Sequence, residues 1–286
     1  MSRTRRRTLA LLALLPAWAA AAGPAALPAA PAAAPLRIAV APHTSARVIV
    51  EMYQPLRAHL EHALGQRVEV ITAPDFTAFA RRAMAQDYDL AITTGHQARL
   101  LQTDAGYRPL LTYKADFRAL AVVAGKSPHH SAKDLAGSTV IGLSPASLVT
   151  IWGQHWLHRN AVPDATMRYV SASDSVGHLV LKGEGSAGFM SLANFQGLPP
   201  ALREQLRVLD ESTSMSGRVY VLNARHAARQ EAVSAALWAF AGTPEGRAYF
   251  DRYKLGGYRA LEPRELFAME PYANEVRLAL KAPPAK

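Results

Sequence analysis

"LRIAVAPHTSARVIVEMYQPLRAHLEHALGQRVEVITAPDFTAFARRAMAQDYDLAIT", residues 36–93, carries the pattern on which the fold turns. Three short apolar runs, "LRIAVA" (36–41), "RVEVIT" (67–72) and "YDLAIT" (88–93), have the length and β-branched content of buried strands. Between the first two, residues 45–65 read as largely helical, with Leu56, Leu60 and Leu64 four apart on one face and Gly65 as the stop. Between the second and third, Asp75 caps a helix that runs to about Ala85. Strand, helix, strand, helix, strand is the order of an open α/β sheet. A helix over about 96–103 and a strand at 107–113 continue it.

A second series of the same kind follows. Strands are expected at 117–125, 138–144, 167–171, 186–191 and 205–212, with helices at 147–160 and 173–184 and a short turn or helix at 131–137. A strand at 217–224 then precedes helices at 227–242 and 243–258. The last begins with Thr243 as cap, Pro244 at its first position and Glu245 in its first turn.

The ends and the composition bound the class. The chain has 286 residues and no cysteine, which excludes a lipoprotein anchor, an iron–sulfur site and a thiol nucleophile. "MSRTRRRTLALLALLPAWAAAAG" has a basic start, a short apolar run and a small-residue end. That is a secretory signal peptide, cleaved near Ala22. The Ala/Pro segment over 23–35 is an extended tether. Nothing beyond it approaches the length of a membrane span. The net charge is +10, and Arg3, Arg5, Arg6 and Arg7 supply four of those charges. The remaining basic residues are scattered among acids, so no nucleic-acid stripe is expected.

The chemistry sits at the junctions. Five times a strand end feeds small hydroxyl residues and then a helix: Thr44 and Ser45; Thr93 and Thr94 before Gly95 and His96; Ser144 and Ser147; Ser171 and Ser173; and Ser191. Singly, each is an ordinary N-cap. Together, at the carboxyl ends of strands in two sheets, they outline an anion-binding cleft, because helix N-termini present unpaired amides. No G-x-S-x-G, P-loop or G-x-G-x-x-G occurs. The pairs His59/His62 and His155/His158 lack a third ligand and read as surface histidines.

In "RIAVAPHTSARVIVEMYQPLRAHLEHALGQRVEVITAPDFTAFARRAMAQDYDLAITTG", in "FRALAVVAGKSPHHSAKDLAGSTVIGLS" and in "GTPEGRAYFDRYKLGGYRAL", the chain resembles the periplasmic solute-binding proteins of phosphate, phosphite and phosphonate ABC transporters. The resemblance covers about residues 36–258. It implies the type 2 periplasmic-binding fold: an α/β protein of two lobes, each an open mixed sheet flanked by helices. Lobe 1 would take residues 36–116 plus 218–286 and lobe 2 residues 117–217, with hinges near 113–118 and 215–220. Where the family usually has Ser-Thr-Ser-Gly, this chain has Ala146-Ser147-Leu148-Val149. Where the family often has Gly-Ser-His-Asp, it has Ser171-Ala172-Ser173-Asp174.

The function implied is that of an exported, soluble, monomeric binding protein. It takes a small oxyanion-bearing solute of phosphate or phosphonate type between its lobes and delivers it to an ABC permease. The alternative is a ligand-sensing subunit of the same fold, partnering a membrane kinase or receptor. An enzyme on this fold would have to use His43, His96 or His178, and no acid/base pair accompanies them. No cofactor or metal is expected.

Overall fold

The structure, a computed structural model, describes residues 34–281. The signal peptide read at 1–22 and all but the last two residues of the tether read at 23–35 fall outside them. Strands β1 (Leu36–Val40), β2 (Val68–Ile71), β3 (Leu90–Thr94) and β4 (Arg108–Tyr113) alternate with helices α1 (Ala46–Leu64), α2 (Phe76–Met84) and α3 (Gly95–Asp104). The second series is β5 (Ala119–Ala124), β6 (Thr139–Gly142), α4 (Leu148–Arg159), β7 (Thr166–Tyr169), α5 (Ser173–Leu181), β8 (Ala187–Ser191), α6 (Leu192–Gly197), α7 (Pro200–Arg203) and β9 (Leu206–Glu211). The chain then returns through β10 (Arg218–Leu222), α8 (Gln230–Gly242), α9 (Pro244–Arg252), β11 (Tyr258–Arg259) and α10 (Glu270–Lys281).

Two mixed sheets result. The first has the order β11-β4-β10-β3-β1-β2 and the second β7-β6-β8-β5-β9. In the first, β1 runs parallel to β2 and β3, while β10 enters antiparallel between β3 and β4. In the second, β6 is parallel to β7 and β8, and β5 is antiparallel to β8 and β9. Two connections join the sheets, β4 to β5 and β9 to β10. They pair through an isolated antiparallel bridge, Phe117 with Met215, and Ser214 donates to Asp116 beside it. Each sheet with its helices forms one lobe.

Period-two strands and period-3.6 helices explain the layers. Ile38, Val40, Leu90 and Ile92 face α1, which buries Ile49, Met52, Tyr53, Leu56 and Leu60 along one stripe. Fully burying a side chain of this size contributes roughly 1.5–3 kcal/mol. Ala39, Ala41 and Ala91 face the other way, toward Phe76, Phe79 and Ala80 of α2 and Ala98 and Leu101 of α3. Small strand residues on that side let the helices lie close to the sheet.

Asp75 caps α2 as the sequence implied, its carboxylate accepting from the Ala78 amide at 2.8 Å. Three differences stand out. Helix α9 ends at Arg252, and Lys254 adopts a left-handed φ of 52°. Helices α6 and α7 fill the connection between β8 and β9. The C-terminal α10, unread in the sequence, packs on α2 and α3 of the first lobe and reaches α4 of the second. Its Glu270 and Arg277 form ion pairs with Arg99 and Asp104 of α3, and its Tyr272 stacks on His155 of α4. No helix among the described residues is long and apolar enough to cross a membrane.

Candidate anion site

Parallel strands in both lobes deliver their carboxyl ends to the same place. There the lobes enclose a chamber of about 630 Å³, lined among others by His43, Thr44, Ser173, Asn194, Arg218 and Lys254. A smaller pocket of about 50 Å³ adjoins it, lined by His43, Thr94, Ser147, Ser191, Asn194 and Arg218 among others. His43, Ala193, Asn194 and Arg218 belong to both. The inner pocket is much the smaller of the two and suits a compact polar head group. The outer chamber has the size of an organic ligand site, commonly about 300–1,000 Å³.

Arg218 dominates the electrostatics and was missed in the sequence. It opens β10 directly opposite Thr94 of β3. Its Nη1 is buried without a hydrogen-bond partner. Its guanidinium lies 5.9 Å from the ring centroid of Tyr113. Burial opposes its charge, but the phenol oxygens of Tyr53, Tyr113 and Tyr249 outweigh this and hold its pKa above the ordinary arginine value. Behind it Tyr113 shares hydrogen bonds with Tyr220 (2.5 Å) and Tyr249 (2.7 Å), and Tyr220 with Tyr258 (3.0 Å). Burial pushes the pKa of these four phenols well up, so they stay protonated. Arg218 therefore presents a half-buried, permanent cation to the cleft, which favours an anion beside it.

His43, considered from the sequence only as a catalytic group, is a second residue that lines the cleft. Its Nδ1 lies 2.9 Å from the Ala41 carbonyl, which can only accept, so Nδ1 carries the proton. Burial, then the Arg218 charge, lower its pKa to about 3, against a weaker upward pull from the Ala41 carbonyl. Asn194 donates from Nδ2 to Ser173 Oγ at 2.6 Å and to the His43 carbonyl at 3.4 Å, so it spans the two lobes.

The ten residues drawn from the sequence separate by position. Thr94, Ser147 and Ser191 line the inner pocket, and Thr44 and Ser173 the outer chamber. Ser147 stands before α4 without making a cap bond, which leaves the first amides of α4 facing the pocket. Ser191 caps α6 through the Asn194 amide. Ser45 is exposed and caps α1 by accepting from the Val48 amide. Ser171 is exposed and lines neither cavity, while Ser144 has a buried Oγ with no partner, outside both linings.

The expectation that Thr93 and Thr94 both face the cleft is corrected by strand alternation. Thr93 points into the core and donates to Gln97 Oε1 at 3.1 Å. Thr94 points to the pocket, with its hydroxyl 3.1 Å from His96 Nδ1. His96 is fully buried, and its Nε2 donates to the Ala146 carbonyl of the other lobe at 3.0 Å. Gln97 Nε2 donates to the same oxygen at 3.1 Å. Burial lowers the His96 pKa to about 4, so its ring is neutral and serves as an interlobe tie. Gly95 follows from the hinge. A Cβ there would lie 2.4 Å from Ser216 Cβ, and its amide donates to the Ser216 carbonyl at 3.1 Å. Among the described residues no group of three or more His, Asp or Glu side chains is placed to hold a metal ion.

Comparison with curated proteins returns no match. Solved structures share the fold. PhnD1 from Prochlorococcus marinus, in complex with methylphosphonate, superposes with a TM-score of 0.74 at 15% identity, over 86% of this chain and 98% of that one. XAC2383 from Xanthomonas citri, bound to ATP, gives a TM-score of 0.72 at 21% identity, over 86% and 99%. A binding protein component of an ABC phosphonate transporter from Pseudomonas aeruginosa gives 0.72 at 14% identity, over 86% and 89%. Residues 38–266 match the model of the family described as "ABC transporter, phosphonate, periplasmic substrate-binding protein". With the bilobed fold and the match over most of its length, the chain belongs to the phosphonate-type periplasmic substrate-binding proteins of ABC transporters.

Proposed function

We propose that the chain captures a small organic oxyanion of the phosphonate kind in the periplasm and delivers it to an ABC permease. The observation that carries this reading is Arg218, a half-buried cation that lines both cavities. The anionic head fits the inner pocket, where Arg218, the Ser147 hydroxyl and the free amides of α4 supply donors. The organic substituent lies in the outer chamber, beside Thr44 and Ser173. The methylphosphonate complex of PhnD1 supports a ligand of this size and charge. Export through a signal ending near Ala22 belongs to the same reading. Binding and release, rather than catalysis, fit the histidines: His43 and His96 are tied to backbone carbonyls, and neither contacts a carboxylate.

Titration calorimetry with methylphosphonate tests the reading. Arg218→Gln removes the charge and should weaken binding at least about 100-fold, since breaking a buried charge pair costs roughly 2–5 kcal/mol. An unchanged affinity in that variant would overturn it. Small-angle scattering should also show compaction at saturation, as lobes joined by two hinge strands close on the ligand.

A further inference from the structure

We propose that the site selects an oxyanion that still carries one acidic proton, a hydrogen phosphonate, and that His43 Nε2 accepts that proton's hydrogen bond. The inference rests on the reading of the cleft as an oxyanion site and names which oxyanion it prefers. Because Nδ1 donates to the Ala41 carbonyl, the neutral ring has its lone pair on Nε2. Among the described residues nothing in the protein hydrogen-bonds that nitrogen. His43 lines both cavities, as Arg218 does. Burial and the Arg218 charge keep it neutral across the physiological range.

The remaining polar groups agree. Asn194 commits Nδ2 to the His43 carbonyl and to Ser173, which leaves Oδ1 as another acceptor. His96 Nδ1 accepts a hydrogen bond from the Thr94 hydroxyl, because Nε2 carries the ring hydrogen and donates to the Ala146 carbonyl. Arg218 is the only charged residue in the inner lining. The other charged groups of the cleft, Asp116, Asp174, Arg252 and Lys254, line the outer chamber alone. Asp116 is held there by Arg118 and Ser214, and Asp174 by the Ser175 amide.

One cation and a set of bare acceptors define the complement. A phosphonate dianion leaves a surplus negative charge in a buried pocket and sets an oxygen lone pair against His43 Nε2. A sulfonate balances the Arg218 charge but has no proton to give. A hydrogen phosphonate does both. Two of its oxygens accept from Arg218, Ser147 and the α4 amides, while its P–O–H donates to His43. No proton is transferred, so the head remains a monoanion and the imidazole remains neutral.

Calorimetry with methylphosphonate and methanesulfonate, as a function of pH, separates the possibilities. Wild-type protein should bind methylphosphonate about 10- to 100-fold more tightly than methanesulfonate at pH 6, the worth of one hydrogen bond to a charged group. Above the ligand's second pKa, its affinity should fall about tenfold per pH unit, following the monoprotonated fraction. His43→Ala should narrow the gap between the two ligands. Equal affinities in wild type, an affinity that rises through the second pKa, or a gap unchanged in His43→Ala overturns the proton-reading role. If wild type binds neither ligand, the anion-site reading itself falls. The first two measurements need no variant, so a misfolded His43→Ala does not shield the proposal.

Discussion

Neighbouring hydroxyls in this cleft do different work, and substitution should show it. Thr93→Ala strands Gln97 Oε1 in the core and should cost about 1–3 kcal/mol of stability, with methylphosphonate affinity changed less than about threefold. Ser147→Ala caps nothing and should leave the denaturant midpoint in place while weakening binding about tenfold. Paired calorimetry and chemical denaturation check both, and the reverse pattern would exchange the roles. His96 adds a pH signature. Its folded pKa of about 4 lies below the unfolded value of 6.5, so the unfolded chain binds more protons between those limits. Stability from this group is full above about pH 6.5 and is lost as pH falls toward 4, by about 3 kcal/mol in all. The acids Asp89 and Glu270, with lowered pKa values, add losses at lower pH, so the comparison is with His96→Asn, whose stability should fall less steeply over pH 6.5 to 4. The positions of Thr94, Ser147 and Ser191 were legible in sequence because sheet ends and hydroxyl-to-helix junctions are local patterns. Arg218 was not, because locally it is only the polar first residue of an apolar strand. What makes it a pocket residue is the long-range pairing of Arg218 with Thr94.

The elements followed their patterns where the pattern was their own. Residues 36–113 and 119–191 alternate strand and helix as their apolar spacing implies, and the caps at Asp75, Ser45 and Thr243 all form. Helix α10 shows where such reading stops. Its buried stripe is only Ala273 and Val276, continued from Leu266 and Met269 in the turn before it. That signal is weak beside the helix's charged residues, and the partners of Glu270 and Arg277, namely Arg99 and Asp104 of α3, are distant in sequence. Strand β11 has two residues and exists only as a partner for β4. Packing rather than the ion pairs should dominate the stability of α10. Val276→Ala is expected to cost about 2 kcal/mol and Arg277→Ala about 1 kcal/mol or less, read from urea midpoints at unchanged slope. A larger loss for Arg277→Ala would reverse that ranking.

At the scale of the molecule, the second lobe is one uninterrupted stretch, β5 to β9, whereas the first is made from both ends of the described chain. Strand β10 fills the middle of the first sheet, between β3 and β4, and it follows the whole second lobe in sequence. Until residues 218–222 arrive, β4 has no neighbour on that side and β3 ends the sheet as a bare edge. Connectivity thereby favours one order of assembly. Lobe 2 has its strands in hand early, while lobe 1 must wait for its keystone. In pulsed hydrogen exchange during refolding, amides of β5, β6 and β8 should become protected before those of β4 and β10, because contacts of long sequence separation form late. Simultaneous protection of both sheets would exclude this order. A first sheet that cannot close until residues 218–222 exist stays open through most of the chain's synthesis.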